Sequence, residues 1–355
     1  MSILTLNHVT KYFGDRKVID AISLSLKEGE FLSILGKSGS GKTTLLRLIA
    51  GFESVDEGTI ELSNAIISSK GFSLPTEKRD IGIVFQDHAL WPHMTIFENV
   101  AFPLKVRKQS ETEIKKSVEE ALSLVGMTGF AKTFPHQLSG GEAQRVALAR
   151  SLVQKPKLII FDEPLASLDA LLRYELQGMI KKLHHQHSLS CIYITHDQGE
   201  AMRLSDRIAV LEEGKIIQVD TPETIYLRPQ NASVARLIGQ GACAPVEIIE
   251  SYDDYATVRL VEHTFQVRAS SKTKEKTGTI CLRSENIEIL PSDDKISHHA
   301  LAAMVEDCSY MGGCYQGDLR LVDMPEIILR KKTDIGLSPN SRVKITIHGG
   351  WLMGV

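Results

Sequence analysis

No uninterrupted apolar run in this 355-residue chain approaches the roughly 18 residues of a membrane-spanning helix. The N-terminus, Met1-Ser2-Ile3-Leu4-Thr5, lacks the basic start and apolar core of a signal peptide. These absences predict a chain that stays in the cytosol; any membrane pore it served would be another polypeptide. Cysteines are scarce and odd in number: Cys191, Cys243, Cys281, Cys308 and Cys314, without C-x-x-C spacing. That pattern reads as reduced, unpaired thiols. An excess of one charge is also missing. The 41 Lys and Arg nearly balance 44 Asp and Glu, for a net charge of −3, which indicates neither disorder nor a nucleic-acid footprint. The length suffices for two domains, or three.

Two glycine-rich stretches stand about a hundred residues apart. Gly36-Lys37-Ser38-Gly39-Ser40-Gly41-Lys42-Thr43-Thr44 fits G-x-x-x-x-G-K-[ST] between an apolar run, Phe31 to Leu35, and a helical pattern, Leu45 to Ala50. Strand, glycine loop and helix are the context of a triphosphate-binding loop. The glycines turn consecutive N–H groups toward one anion, and the helix N-terminus adds its dipole. Lys42 supplies a point charge for the β- and γ-phosphates, and the Thr43 hydroxyl is placed to ligate Mg²⁺. The second stretch, Leu138-Ser139-Gly140-Gly141-Glu142, opens an apolar-periodic helix and makes another phosphate-binding surface. The two surfaces either share one nucleotide or serve two.

With both motifs present, the chain resembles the ABC-transporter ATPases. The resemblance implies ATP and Mg²⁺ as cofactors and a head-to-tail dimer with a second copy. There Ser139, Gly140 and Gly141 close on the γ-phosphate held by the partner's loop. Leu158 to Phe161 is a short apolar strand ending in Asp162 and Glu163, as in a buried parallel sheet. By resemblance, Asp162 holds Mg²⁺ through water and Glu163 polarises the attacking water. Ser167-Leu168-Asp169 matches the loop that communicates across the dimer. His196, after a second buried strand, contacts the γ-phosphate and orients the water. Gln86 reaches Mg²⁺ and the water. Phe13 sits where the family stacks an aromatic on adenine; Tyr12 is the neighbouring register, and a core strand aromatic is the plain alternative. The usual signature ends in glutamine where Glu142 stands, which predicts a modest effect on affinity.

Between Gln86 and the signature, Ser110-Glu111-Thr112-Glu113 reads as a capping box, followed by Ile114, Val118, Leu122 and Val125 at helical spacing. This places a helical insert at about 87–155 within an α/β ATPase domain spanning 1–238. His184-His185-Gln186-His187 reads as the end of a helix, where imidazoles complement the dipole; a metal tract is the alternative. Gly239-Gln240-Gly241-Ala242 reads as a linker. Beyond it, helical periodicity vanishes and short strands alternate with turns, which predicts an all-β, OB-like barrel domain over 241–355. Within it Arg283-Ser284-Glu285-Asn286-Ile287 resembles the R-P-E-x-(I/L) landmark of the TOBE domain of importer ATPases, with serine in place of proline. The 13 Lys/Arg against 16 Asp/Glu in this half, without a basic aromatic stripe, argue against nucleic acid as a partner.

The resemblance implies the ATPase subunit of a prokaryotic ABC importer, peripheral on the cytoplasmic face of the cell membrane. Its partners would be permease subunits and, indirectly, an external solute-binding protein. The chain has one ATPase unit, no long coiled-coil insert and no fused membrane domain. These features disfavour DNA-repair, translation-factor and exporter relatives; an ABC ATPase acting on nucleoprotein is the rival class. Exposed Leu90 and Trp91 are expected to receive the permease, with a buried Trp91 as the alternative. Gly71 to Gly82 looks most like the ferric-iron importer ATPases, so iron is the expected cargo, with polyamine, sugar, phosphonate or sulfate as alternatives.

Overall fold

The computed structural model describes residues 1–290 and 300–354. They form two compact units, Met1–Pro222 and Glu223–Val355. Among the described residues, no helix is long and apolar enough to cross a membrane.

The first unit opens with a hairpin, β1 (Ser2–Phe13) and β2 (Arg16–Lys27). Then β3 (Phe31–Leu35) runs through the glycine loop into α1 (Lys42–Ala50). Three short strands follow, β4 (Glu57–Leu62), β5 (Ala65–Ser69) and β6 (Phe72–Ser73), and then β7 (Ile81–Val84). The helical insert comprises α2 (Ile96–Val106), α3 (Glu111–Leu124) and α4 (Gly140–Leu152). The chain returns through β8 (Leu158–Asp162), α5 (Ala170–His187), β9 (Cys191–Thr195) and α6 (Gln198–Leu204), and ends in the β10 (Arg207–Glu212) and β11 (Lys215–Asp220) hairpin.

The central sheet has the order β11-β10-β3-β9-β8-β7, and its pairs from β10 to β7 are parallel. Successive strand residues face opposite sides. Leu32, Ile34, Leu158, Ile160, Ile192 and Ile194 join the core that includes α1. Phe31, Ile159, Phe161, Cys191 and Tyr193 join the core that includes the helical insert and α5. Both faces are covered, which is why β3 and β9 carry runs without polar alternation. Each fully buried Leu or Ile contributes about 1.5–3 kcal/mol, so a slip in register would be costly.

Capping boxes start all three insert helices: Thr95 with Glu98, Ser110 with Glu113 and Ser139 with Glu142. The histidine run closes α5. There the buried ring of His184 donates through Nδ1 to the Leu189 carbonyl at 2.8 Å and meets Phe31 edge-on.

The second unit holds α7 (Pro222–Leu227), apart from its first residue, and α8 (Ala232–Leu237). Its strands are β12 (Ala242–Ser251), β13 (Tyr255–Leu260), β14 (His263–Arg268), β15 (Thr277–Leu282), β16 (Ile287–Leu290), β17 (Leu301–Tyr310), β18 (Tyr315–Leu321), β19 (Ile328–Thr333), β20 (Arg342–Ile347) and β21 (Trp351–Met353). A closed barrel, β12-β13-β14-β21-β15, is joined by a five-stranded sheet, β16-β20-β17-β18-β19. One core runs through both. The all-β second half is therefore a barrel plus a second sheet.

The units divide at Pro222/Glu223, earlier than the 238/241 boundary expected from composition. Arg283 supplies the reason. This 5 % exposed guanidinium donates to the carbonyls of Tyr226 (2.8 Å), Ala235 (2.9 Å) and Ile238. It thereby satisfies groups that a helix C-terminus leaves unpaired. Trp351 Nε1 donates to the Pro229 carbonyl at 3.1 Å. The TOBE-like landmark thus ties both short helices to the barrel. Cys243 and Cys281 are register partners on β12 and β15, yet all five cysteines are free thiols.

Candidate nucleotide site

Adjacent parallel strands β7, β8, β9 and β3 deliver Gln86, the Asp162-Glu163 pair, His196 and the glycine loop to one edge of the central sheet. The carboxyl ends of parallel strands are where open α/β sheets bind ligands. Gly36 has to be glycine: a Cβ there would sit 2.3 Å from the Leu211 carbonyl oxygen and 2.6 Å from Ser40 Oγ. Gly39 (φ +79) and Gly41 (φ +107) adopt left-handed backbone, which other residues reach only with strain. Lys42 is buried and donates to the carbonyls of Gly36 (2.8 Å) and Lys37 (3.0 Å). Burial holds its pKa below the ordinary lysine value, opposed by Glu163 and Asp162. Lys37, Ser38, Gly39 and Thr43 are exposed, and Thr44 is half-buried.

Glu163 has a left-handed φ of +43, an uncommon conformation for a non-glycine residue. Its N–H donates to the Ile194 carbonyl at 3.0 Å, which locks the end of β8 against β9. His196 donates through Nδ1–H to Glu163 Oε2 at 2.8 Å. An ionised carboxylate only accepts, so this proton sits on Nδ1. Burial first, and the Glu163 charge second, push the Asp162 carboxyl above its ordinary range, against Arg47 and Lys42. Gln86 is exposed.

These residues fit a nucleotide with a hard divalent cation. Ser40 Oγ is buried without a hydrogen-bond partner, beside a backbone cradle that excludes side chains. The Asp162 carboxylate with the exposed Thr43 hydroxyl and Gln86 amide is an oxygen donor set of the type Mg²⁺ takes together with substrate phosphates. Among the described residues, no group of three or more His, Cys, Asp or Glu could form an all-protein metal cage.

Ser139, Gly140 and Gly141 lie at the start of α4, near the Asp169 loop. A Cβ on Gly141 would be 2.6 Å from Leu172 Cδ1, and one on Gly140 would be 3.4 Å from Leu168 Cδ2. A side chain at Gly141 would therefore have to displace the half-buried Leu172 side chain. Asp169 caps α5, accepting from the Leu172 N–H at 3.0 Å. Glu142, the departure from the usual signature, completes a capping box. Its Oε2 accepts from the Ser139 hydroxyl (2.7 Å) and the Ser139 N–H (2.8 Å), and these bonds hold its carboxyl below the ordinary range. Phe13 is exposed, 46 % of its surface, with Lys11 Nζ 5.4 Å from the ring centre; it is not a core aromatic. Tyr12 is half-buried beneath Lys17.

The family described as ABC transporter matches residues 19–166. The spermidine/putrescine import ATP-binding protein PotA of Thermotoga maritima is 43% identical over 314 residues, 87% of this chain and 84% of that protein. The PotA of Hahella chejuensis is 40% identical over 357 residues, 98% of this chain and 96% of that protein. A dimeric post-hydrolysis structure of the ATP-binding cassette MJ0796 with ADP and Pi is 32% identical and covers 62% of this chain and 98% of its own, with TM-score 0.54. The chain belongs to the ABC transporter ATPases.

Two expectations about this ABC ATPase need correction. Leu90 and Trp91 are not an open apolar pair. Leu90 packs on the helical core. Trp91 is half-buried, its ring 4.4 Å from Phe102 and 5.2 Å from the Arg150 guanidinium. Buried Asn99 holds this turn, accepting from the Trp91 N–H at 2.8 Å and donating to the Trp91 carbonyl at 3.1 Å. The iron cargo expected from the stretch Gly71 to Gly82 is not supported, because the relatives matched here are named for spermidine/putrescine import; in the fold, one residue of that stretch has a structural role. Arg79, 2 % exposed, donates to Leu48 and Ile49 (2.7 Å each), Leu74 (2.8 Å) and Ile67 (3.1 Å) carbonyls, and to Ser73 Oγ (2.9 Å). It caps the C-terminal end of α1.

Sequence reasoning also missed the support behind the site. Glu200 is 4 % exposed and accepts from Tyr193 OH (2.9 Å) and Thr195 Oγ1 (2.8 Å). Arg150 donates to the carbonyls of His88 (2.8 Å) and Ala89, two left-handed residues just past Gln86. Gln144 Oε1 meets His88 Nδ1. A charged residue on an otherwise apolar helix face was the available signal for Arg150; nothing in the local sequence marks Glu200.

Proposed function

We propose that this ABC ATPase powers import of a polyamine of the spermidine/putrescine class through a separate permease. The near full-length match to proteins named for spermidine and putrescine import carries this reading, because it extends through the β-rich second unit as well as the ATPase unit. It favours the polyamine alternative over ferric iron.

In this reading two copies assemble head to tail at the permease's cytoplasmic face. Lys42 and the 36–44 loop bind the triphosphate of ATP, and Phe13 stacks on adenine. Thr43, Gln86 and Asp162 hold Mg²⁺, which when bound neutralises charge on the phosphates. Glu163 polarises the attacking water, and His196, held by Glu163, contacts the γ-phosphate. Ser139, Gly140 and Gly141 close on the partner's γ-phosphate, and Asp169 contacts the partner across the same interface. The Ser139 hydroxyl donates to Glu142 in the capping box of α4, so it has to turn from Glu142 to donate to a phosphate, in line with the modest effect on affinity expected of this departure.

The test is uptake by proteoliposomes holding the chain and its permease, with the solute-binding protein outside. MgATP inside should drive accumulation of labelled spermidine or putrescine. Accumulation of ferric iron, maltose or sulfate with no polyamine uptake would overturn the cargo while leaving the ATPase reading intact.

A further inference from the structure

Two loops of this chain are joined by one side chain. Arg173 lies in the first turn of α5, one turn past Asp169. Its Nη2 donates to the Leu168 carbonyl at 2.9 Å, on the Asp169 loop. In the other direction, Nη1 lies 3.7 Å from Asp197 Oδ2 and Nε lies 3.9 Å from Glu200 Oε1. Asp197 directly follows His196 and caps α6 through the Glu200 N–H at 3.0 Å. Its own N–H donates to Thr195 Oγ1 at 2.9 Å, and that hydroxyl donates to Glu200 at 2.8 Å. The backbone on both sides of His196 therefore hangs from one buried carboxylate, and Arg173 faces that carboxylate.

The clasp is asymmetric. Its end on the Asp169 loop is a full hydrogen bond. Its end on the His196 loop is two ion pairs longer than a hydrogen bond, and Arg173 Nε is buried with no hydrogen-bond partner. An unpaired buried donor beside a carboxylate gains when the gap closes. A small shift of the Asp169 loop would thus move the groups that hold His196. Burial keeps the Glu200 carboxyl above its ordinary range, and Arg173 opposes that.

We infer that Arg173 is a positioning residue that ties the Asp169 loop to the His196 loop, passing engagement of one nucleotide site to the other. This rests on the head-to-tail reading, in which Asp169 meets the partner's site while His196 serves its own. Arg173 touches no nucleotide. Its loss should leave ATP binding in place and weaken turnover and cooperativity together.

The experiment measures steady-state hydrolysis against MgATP for the purified full chain. Wild type should be sigmoidal. Arg173→Met, which keeps the aliphatic stem, should lower kcat about tenfold with KM nearly unchanged and bring the Hill coefficient to about 1. Arg173→Lys should retain part of the cooperativity, because it keeps the charge without the fork. Asp197→Asn keeps the helix cap and removes one ion pair, so it should shift the Hill coefficient the same way; it decides the matter if Arg173→Met does not fold. Wild-type kcat and Hill coefficient in these variants overturn the inference alone. A hyperbolic wild type overturns the inference, because no coupling between sites is then left to lose; the head-to-tail reading fails separately if Ser139→Arg keeps wild-type hydrolysis.

Discussion

His196 and Glu163 are hydrogen-bonded at 2.8 Å between Nδ1 and Oε2, across adjacent parallel strands β9 and β8. The left-handed φ of Glu163 turns its carboxylate toward that ring. Strain of this kind persists where the surroundings over-determine it, and here the Glu163 N–H bond to Ile194 does so.

Glu163→Gln should keep this geometry, because the amide oxygen still accepts from His196. It loses the basicity needed to take a proton from water. Hydrolysis should slow by about 10²–10⁴-fold, the range for a general base, while ATP affinity by calorimetry stays unchanged. Near-wild-type turnover would remove Glu163 from its proposed role.

Lys42→Ala removes the buried cation that bridges the Gly36 and Lys37 carbonyls. Wild type at a hundred times the dissociation constant should be stabilised by about 2.7 kcal/mol. Thermal melts with MgATP should show that shift in wild type and none in the variant.

Arg79→Ala strips five hydrogen bonds to four carbonyls and a hydroxyl. It leaves the C-terminal carbonyls of α1 buried and unpaired, at a cost of about 3 kcal/mol or more. Urea unfolding should show a lower midpoint with the same slope. A variant within 0.5 kcal/mol of wild type, the usual range for surface changes (~0.5), would mean water replaces the guanidinium.

Glu200 has a folded pKa raised by burial. Its contribution to stability is fully present below the unfolded value and is lost as pH rises through the folded value. Glu200→Gln keeps an acceptor for Tyr193 and Thr195 and has no charge to desolvate. The melting temperature of the variant relative to wild type should therefore rise from acid toward neutral pH and then level. A difference that falls over that range would contradict the burial argument.

A fragment ending at Pro222 should fold and bind ATP. One ending at Gly239 carries α7 and α8 without Arg283 and Trp351, so it should be less soluble than the shorter piece. Equal solubility by gel filtration would place the division back near residue 240.

The motifs of the candidate nucleotide site stand out in the sequence because each of them is local. A glycine loop needs consecutive residues to turn N–H groups toward one anion, and Asp162, Glu163 and His196 end apolar strands whose periodicity shows burial. The insert helices were legible for the same reason, since Ser110 and Glu113 lie three residues apart. Tertiary structure decided what depends on partners distant in sequence. Arg79 and Arg283 are ordinary arginines until the fold places helix-end carbonyls around them. Trp91 becomes half-buried only when Phe102 and Arg150 close on it, and the unit boundary moves to 222 because a barrel residue holds two helices that precede it. Local motifs record the groups proposed to meet the ligand. Long-range packing sets which side chains hold those groups, because a hydrogen-bond partner fifty residues away leaves no periodic trace.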